Sequence, residues 1–189
     1  MKKFILGLII GLLLPAVGGF LFFKMGMMPM AASGATPLPM EEKIANMSLH
    51  AATAKSADKT SPVPADEANL TQGAHVYVEN CAFCHGLPGQ KASNAAKGMF
   101  PLPPQLLSKD EMVTDDPIGV TYWKAANGIR LTGMPGFTEM LSDTQLWQVS
   151  QMLKNADKLP AATTAVLTKP AEAPAPAPAS TPSPKRPKK

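Results

Sequence analysis

Cys81-Ala82-Phe83-Cys84-His85 is the stretch from which the rest of this 189-residue chain is read. Cys-x-x-Cys-His is the attachment signature of c-type haem. Two thiols two residues apart can each add to one vinyl group of a single porphyrin. The histidine that follows is then placed to bind the iron from one face. Three other chemistries use the same residue types. Zinc needs a fourth ligand, and only His50 and His75 remain as further histidines, neither within a second ligand pair. A thioredoxin-like redox pair belongs in a strand–helix–strand context, which this neighbourhood lacks. A plain disulfide leaves His85 without a purpose. Haem attachment is therefore the favoured reading.

Composition limits the folded part to one small domain. Twenty prolines, many in tracts that cannot pack, leave too little chain for two. Both cysteines are committed to the motif, so none remains for a disulfide framework. The formal charge of +4 is uneven. Residues 66–159 hold seven Lys/Arg against ten Asp/Glu, a net of −3, while Lys185, Arg186, Lys188 and Lys189 gather +4 at the end. Basicity belongs to a tail, and nucleic acid is not an expected partner.

Phe4 to Phe23 is an unbroken run of 20 uncharged, mostly apolar residues. As a helix it is about 30 Å long, the thickness of a bilayer's hydrocarbon core. A cleaved signal peptide has a shorter apolar centre, of about 7–15 residues. We read residues 4–23 as a retained transmembrane anchor (or uncleaved signal) in preference to a cleaved signal. Lys2, Lys3 and the amino terminus outweigh Lys24 across the run. The N-terminus is thus expected in the cytoplasm and the remainder outside. Residues 24–65 are expected as a flexible linker spanning roughly 35–40 Å on average, with a short helix after Pro39 carrying Met40, Ile44 and Met47 on one face.

The domain is expected over residues 66–158. Leu70, Ala74, Tyr77 and Cys81 form the stripe of a helix that leads into the motif. Gly73 inside it is either a tolerated glycine or the mark of a second helix crossing at close range. After His85, the glycines and prolines up to Pro104 forbid regular structure, and a carbonyl within 102–104 is expected to accept the His85 Nδ1 proton. Asp116-Pro117 reads as the N-cap and first position of a helix over 117–127. Ser142-Asp143-Thr144-Gln145 reads as a capping box, stapled by Leu141 and Leu146, opening a last helix up to Asn155. Residues 159–189 are expected as a disordered Ala/Pro-rich tail with a basic end.

Five methionines lie in the domain, and core filling is the ordinary use of each. Met140 and Met152 are expected to pack and Met112 sits among charges, whereas Met99 stays open as a ligand. Met134 is favoured because Gly133, Pro135 and Gly136 make its backbone irregular and it lies 49 residues beyond His85. That separation lets the chain return on the opposite side of a porphyrin, giving a His/Met iron.

With these residues assembled, the chain resembles a class I c-type cytochrome (mono-haem). Within that group it is most similar to membrane-anchored bacterial cytochromes c and to the c-type haem domains of oxidase subunits. The likeness rests on Cys81-x-x-Cys84-His85, the Pro-rich loop, Tyr122-Trp123 through Ile129, Gly133-Met134-Pro135-Gly136-Phe137 and the Leu146-Trp147 helix, and covers about half the chain. It implies an all-α fold: a small cytochrome c-like helical domain wrapped around one covalently bound haem c, preceded by one transmembrane helix. Cys81 and Cys84 would carry the haem, His85 and Met134 would be axial, and Trp123 and Arg130 would contact the propionates. The first and last helices of the domain would cross, with Gly73 and Tyr77 near Trp147.

The function the resemblance implies is single-electron transfer, not catalysis, on the periplasmic face of a bacterial inner membrane. Implied partners are the membrane itself and redox proteins, whether a quinol-oxidising complex, a terminal oxidase or a periplasmic dehydrogenase. Two alternatives stand beside the free carrier. One is a haem subunit of a larger oxidase or dehydrogenase. The other is a peroxidase or nitrogen-oxide-reactive enzyme, which requires an open sixth position. A haem gas sensor is disfavoured, because no signalling domain accompanies it.

Overall fold

The computed structural model describes residues 1–27, 34, 36–108 and 113–168, and among these every regular element is a helix. In chain order they are α1 (Lys2–Lys24), α2 (Glu41–Ala54), α3 (Glu67–Asn80), α4 (Ala82–His85), α5 (Asn94–Lys97), α6 (Ile118–Asn127), α7 (Asp143–Lys154) and α8 (Ala161–Thr168). Met112 and the basic end lie outside the described residues.

Helix α1 runs with Pro15 inside it and buries no residue against the protein. Among the described residues it is the one helix long and apolar enough to cross a membrane. Helix α3 starts where the sequence has its cap: the Asn69 N–H donates to Asp66 Oδ1 at 2.9 Å. Its stripe of Leu70, Ala74 and Tyr77 is buried and joins Val149, Met152 and Leu153 of α7 in the main core. Gly73 is where the two helices cross. A Cβ there would run into the Gln148 carbonyl and stand 2.9 Å from the Met152 Cβ, so the close-crossing reading of this glycine holds. Helix α7 opens on a complete capping box, with Gln145 N–H to Ser142 Oγ at 3.3 Å and Ser142 N–H to Gln145 Oε1 at 2.9 Å.

Several expectations change. The folded part does not end near 158, because α8 follows and buries Thr163 and Leu167 against α3. The Thr71 and Thr163 hydroxyls are hydrogen-bonded across that contact at 2.9 Å. The expected linker over 24–65 is not free along its length. Thr53 and Ser56 are buried, and Val63 O accepts from Gln151 Nε2 of α7 at 2.9 Å. The Ser56 carbonyl fits against Gly119 of α6 so closely that any side chain there would collide with it. Residues 53–63 form a strap across the back of the domain. Trp147 stacks on Tyr122 of α6, with ring centroids 4.0 Å apart. Met152 packs, fully buried, whereas Met140, also expected to pack, is 61% exposed.

Candidate functional site

Helix α3 stops at Asn80, and Cys81 turns the chain into the single turn α4, which carries Cys84 and His85. Almost every carbonyl of that turn is tied down. Cys81 O accepts from the Cys84 and His85 N–H groups, and Ser93 Oγ donates to Phe83 O at 2.8 Å. Gln105 Nε2 donates to Cys84 O at 3.3 Å and Pro103 O at 3.2 Å. The fully buried Tyr77 hydroxyl donates to Gly86 O at 2.8 Å. Gly86 takes φ +71 with Gln105 closing over it, a place for glycine alone. The motif is therefore held from three sides, by Tyr77, Ser93 and Gln105. The sequence places Tyr77 on the apolar stripe but assigns none of the three this bracing role, although a tyrosine on such a stripe is a hint, since its hydroxyl needs a partner once buried.

His85 Nδ1 lies 2.8 Å from Pro104 O. A carbonyl only accepts, so Nδ1 carries the proton and Nε2 presents a lone pair, the tautomer a metal ligand needs. The expected donation into 102–104 thus falls on Pro104. Burial holds the imidazole below its usual range, with the Pro104 bond acting in the opposite sense. Burial, helped by the charge of Cys84, pushes the Cys81 thiol up to about 12. A thiol so far from ionisation is a poor redox nucleophile, and no strand flanks it among the described residues. Neither cysteine is in a disulfide. No group of three or more His, Cys, Asp and Glu side chains able to hold a metal occurs among the described residues.

The second segment is the loop from Asn127 to Phe137. Gly128, at φ +68, and Gly136 press the two arms of this loop together. A Cβ on Gly128 would stand 2.7 Å from Met134 O, and one on Gly136 2.9 Å from Ala126 O. Ile129 N–H donates to Met134 O at 3.1 Å, Met134 N–H to Thr132 Oγ1 at 3.1 Å, and Phe137 N–H to Ala125 O at 3.0 Å. The Met134 backbone is thereby fixed and its side chain is half-buried. Met99 comes to the same place: a Cβ on Gly133 would stand 2.8 Å from the Met99 sulfur. The fold brings the two candidate thioethers to one loop and leaves Met140 away in solvent. Trp123 is half-buried, and Arg130 is exposed with no hydrogen bond or ion pair among the described residues.

These features fit a flat apolar cofactor with a central metal. Two thiols and a bare imidazole nitrogen stand on one braced turn. Phe83 (69% exposed), Phe100, Leu102 and Leu131 hold large apolar side chains out of the core on the motif turn, the Pro-rich loop and the Met134 loop. Apolar side chains held at such cost in water are what a cofactor face would cover.

Residues 68–151 match the family profile described as cytochrome c oxidase, cbb3-type, subunit III. Over 90 residues the chain is 31% identical to the protein named alcohol dehydrogenase (quinone), cytochrome c subunit, of Gluconobacter oxydans (strain 621H). That match covers 43% of this chain and 17% of the relative's own length. No solved structure matches the chain.

Proposed function

We propose that this chain, a c-type cytochrome with an all-helical fold, carries single electrons between respiratory or dehydrogenase partners, tethered by α1 to the outer face of a bacterial inner membrane. The observation that carries the reading is the braced Cys81-Ala82-Phe83-Cys84-His85 turn with Pro104 holding the Nδ1 proton. Cys81 and Cys84 would hold one haem through thioethers, and His85 Nε2 with the Met134 sulfur would take the two axial positions. Trp123 and Arg130 would lie at the propionates. Bound there, haem supplies a one-electron ferrous/ferric couple. The chain's part is orientation: Pro104 sets the imidazole plane, Gln105 and Tyr77 keep the turn from shifting, and the twinned glycines hold Met134 in place. If His85 and Met134 both held the iron, no site would be left for a small substrate, which favours the carrier over peroxidase or nitrogen-oxide chemistry.

Membership of a larger complex has its own support, since both matches are to proteins named as subunits, one of an oxidase and one of a quinone-linked alcohol dehydrogenase. One preparation tests these readings together. Membranes should keep the protein after a carbonate wash, with one thioether-linked haem per chain that denaturing acid does not extract. The reduced protein should bind carbon monoxide slowly or not at all. Gentle detergent extraction followed by native sizing then separates a free 19.9 kDa carrier from a subunit. Fast, stoichiometric carbon monoxide binding with turnover of peroxide or nitric oxide would sink the carrier reading.

A further inference from the structure

Helix α2 has two faces. Toward the protein it turns Thr53, its one buried residue, and the half-buried Leu49 one turn before. On the opposite side lie Ile44 and Met47, exposed by 52 and 63%, preceded by Met40 at the N-cap, 61% exposed, which completes an i, i+4, i+7 spacing along the chain. A stripe of that spacing is a helix face ready for an apolar phase, and here it points away from the domain. The strap that follows it is fastened by Ser56 to α6 and by Val63 to α7, so α2 is held to the domain at its C-terminal end. At its other end, only residues 25–40 separate it from α1. Sixteen residues reach at most about 55 Å fully drawn out, against about 145 Å for the whole of 24–65.

From this juxtaposition we propose that α2 is a membrane-surface helix, its Met40–Ile44–Met47 face bedded in the interface of the bilayer that α1 enters. The inference rests on the reading of α1 as a retained anchor. Three apolar side chains make a weak membrane ligand alone. The short tether converts their insertion into an intramolecular step, so weak intrinsic affinity suffices. Glu41 and Glu42 outweigh Lys43, so attraction to anionic headgroups supplies nothing and the contact is apolar. Because the strap joins α2 to the domain, such a contact would set the domain's height and tilt over the membrane. Its redox partner would then dock beside the bilayer and not far out in solution.

Haem-loaded full-length protein in phosphatidylcholine vesicles tests this, with a nitroxide placed in turn at Leu13→Cys, Ile44→Cys, Asn46→Cys and Met47→Cys. Each variant is accepted only with the parent haem spectrum. Spin-label collision with oxygen reports lipid, and collision with a water-soluble nickel chelate reports water. The expected pattern is loss of nickel collision and gain of oxygen collision at 13, 44 and 47, with 46 open to nickel; added salt should leave it unchanged. Nickel access at 44 and 47 equal to that at 46, with 13 still in lipid, would overturn the inference and leave the anchor standing. Nickel shielding at 44 and 47 without oxygen gain, with dipolar broadening between labels, would assign the face to a second copy and also overturn it. Nickel access at all four would remove anchor and inference together.

Discussion

At the scale of the residue, the site depends on small groups that fix larger ones. His85 can present a bare Nε2 because the Pro104 carbonyl accepts its other proton at 2.8 Å. The two methionines beside Gly133 make ligation a sharp test. In the ferric protein the weak long-wavelength sulfur-to-iron absorption should disappear in Met134→Ala and persist in Met99→Ala; the reverse result would exchange their roles. Tyrosine supplies a second test, because the chain has two tyrosines and both resist ionisation. Burial pushes the Tyr77 phenol far up, with the charge of Cys81 adding to it. The hydrogen bond to Asp143 raises Tyr122 to about 12. A raised folded value means that the protonated phenol stabilises the fold below pH 10, and that this is lost as pH climbs from 10 toward 12. Absorbance titration should therefore find little phenolate in the native chain at pH 10, where the denatured chain is half-ionised. Asp143→Asn should bring Tyr122 back toward its ordinary value.

At the scale of the element, the α3–α7 crossing governs stability. Gly73→Val would drive a branched side chain into the Gln148 carbonyl and the Met152 Cβ, and overpacking of this kind costs about 1–3 kcal/mol. Removing the α7 cap with Ser142→Ala should cost about 1 kcal/mol, and urea midpoints should rank the two in that order. Crossing and cap were legible in the sequence for different reasons. A capping box is a local pattern, complete within four residues. Gly73 left two readings open, a tolerated glycine or a close neighbour, because the neighbour that decides between them lies 75 positions away. The Tyr122–Trp147 stack was not legible, since both rings sit on stripes that fit more than one partner.

At the scale of the whole molecule, the strap changes how the domain is carried. With 53–63 docked on α6 and α7, the stretch of chain between α1 and the first element joined to the domain shortens to residues 25–40. Trypsin should leave the bonds after Lys55 and Lys59 intact in the native protein while the strap is seated. Gly119→Val, which has no room beside the Ser56 carbonyl, should unseat it and expose both bonds without loss of haem absorbance. Equal cutting in parent and variant would show that the strap does not hold in solution.

What could be read along the chain is local: a Cys-x-x-Cys-His motif, a methionine among glycines, a 20-residue apolar run, and the helices near them. Each is written in residues close together along the chain, where spacing and local propensity suffice. Tertiary structure alone decided the rest. It chose Pro104 as acceptor, set Met99 against the Met134 loop, left Met140 in water, and recruited α8 and residues 53–63 into the fold. Those outcomes depend on surfaces from distant segments meeting, and Ala, Thr and Ser in a segment such as 51–63 carry no pattern that distinguishes a docked strap from a solvated linker. What makes the difference is the groove at Gly119, and it exists only once α6 and α7 have packed.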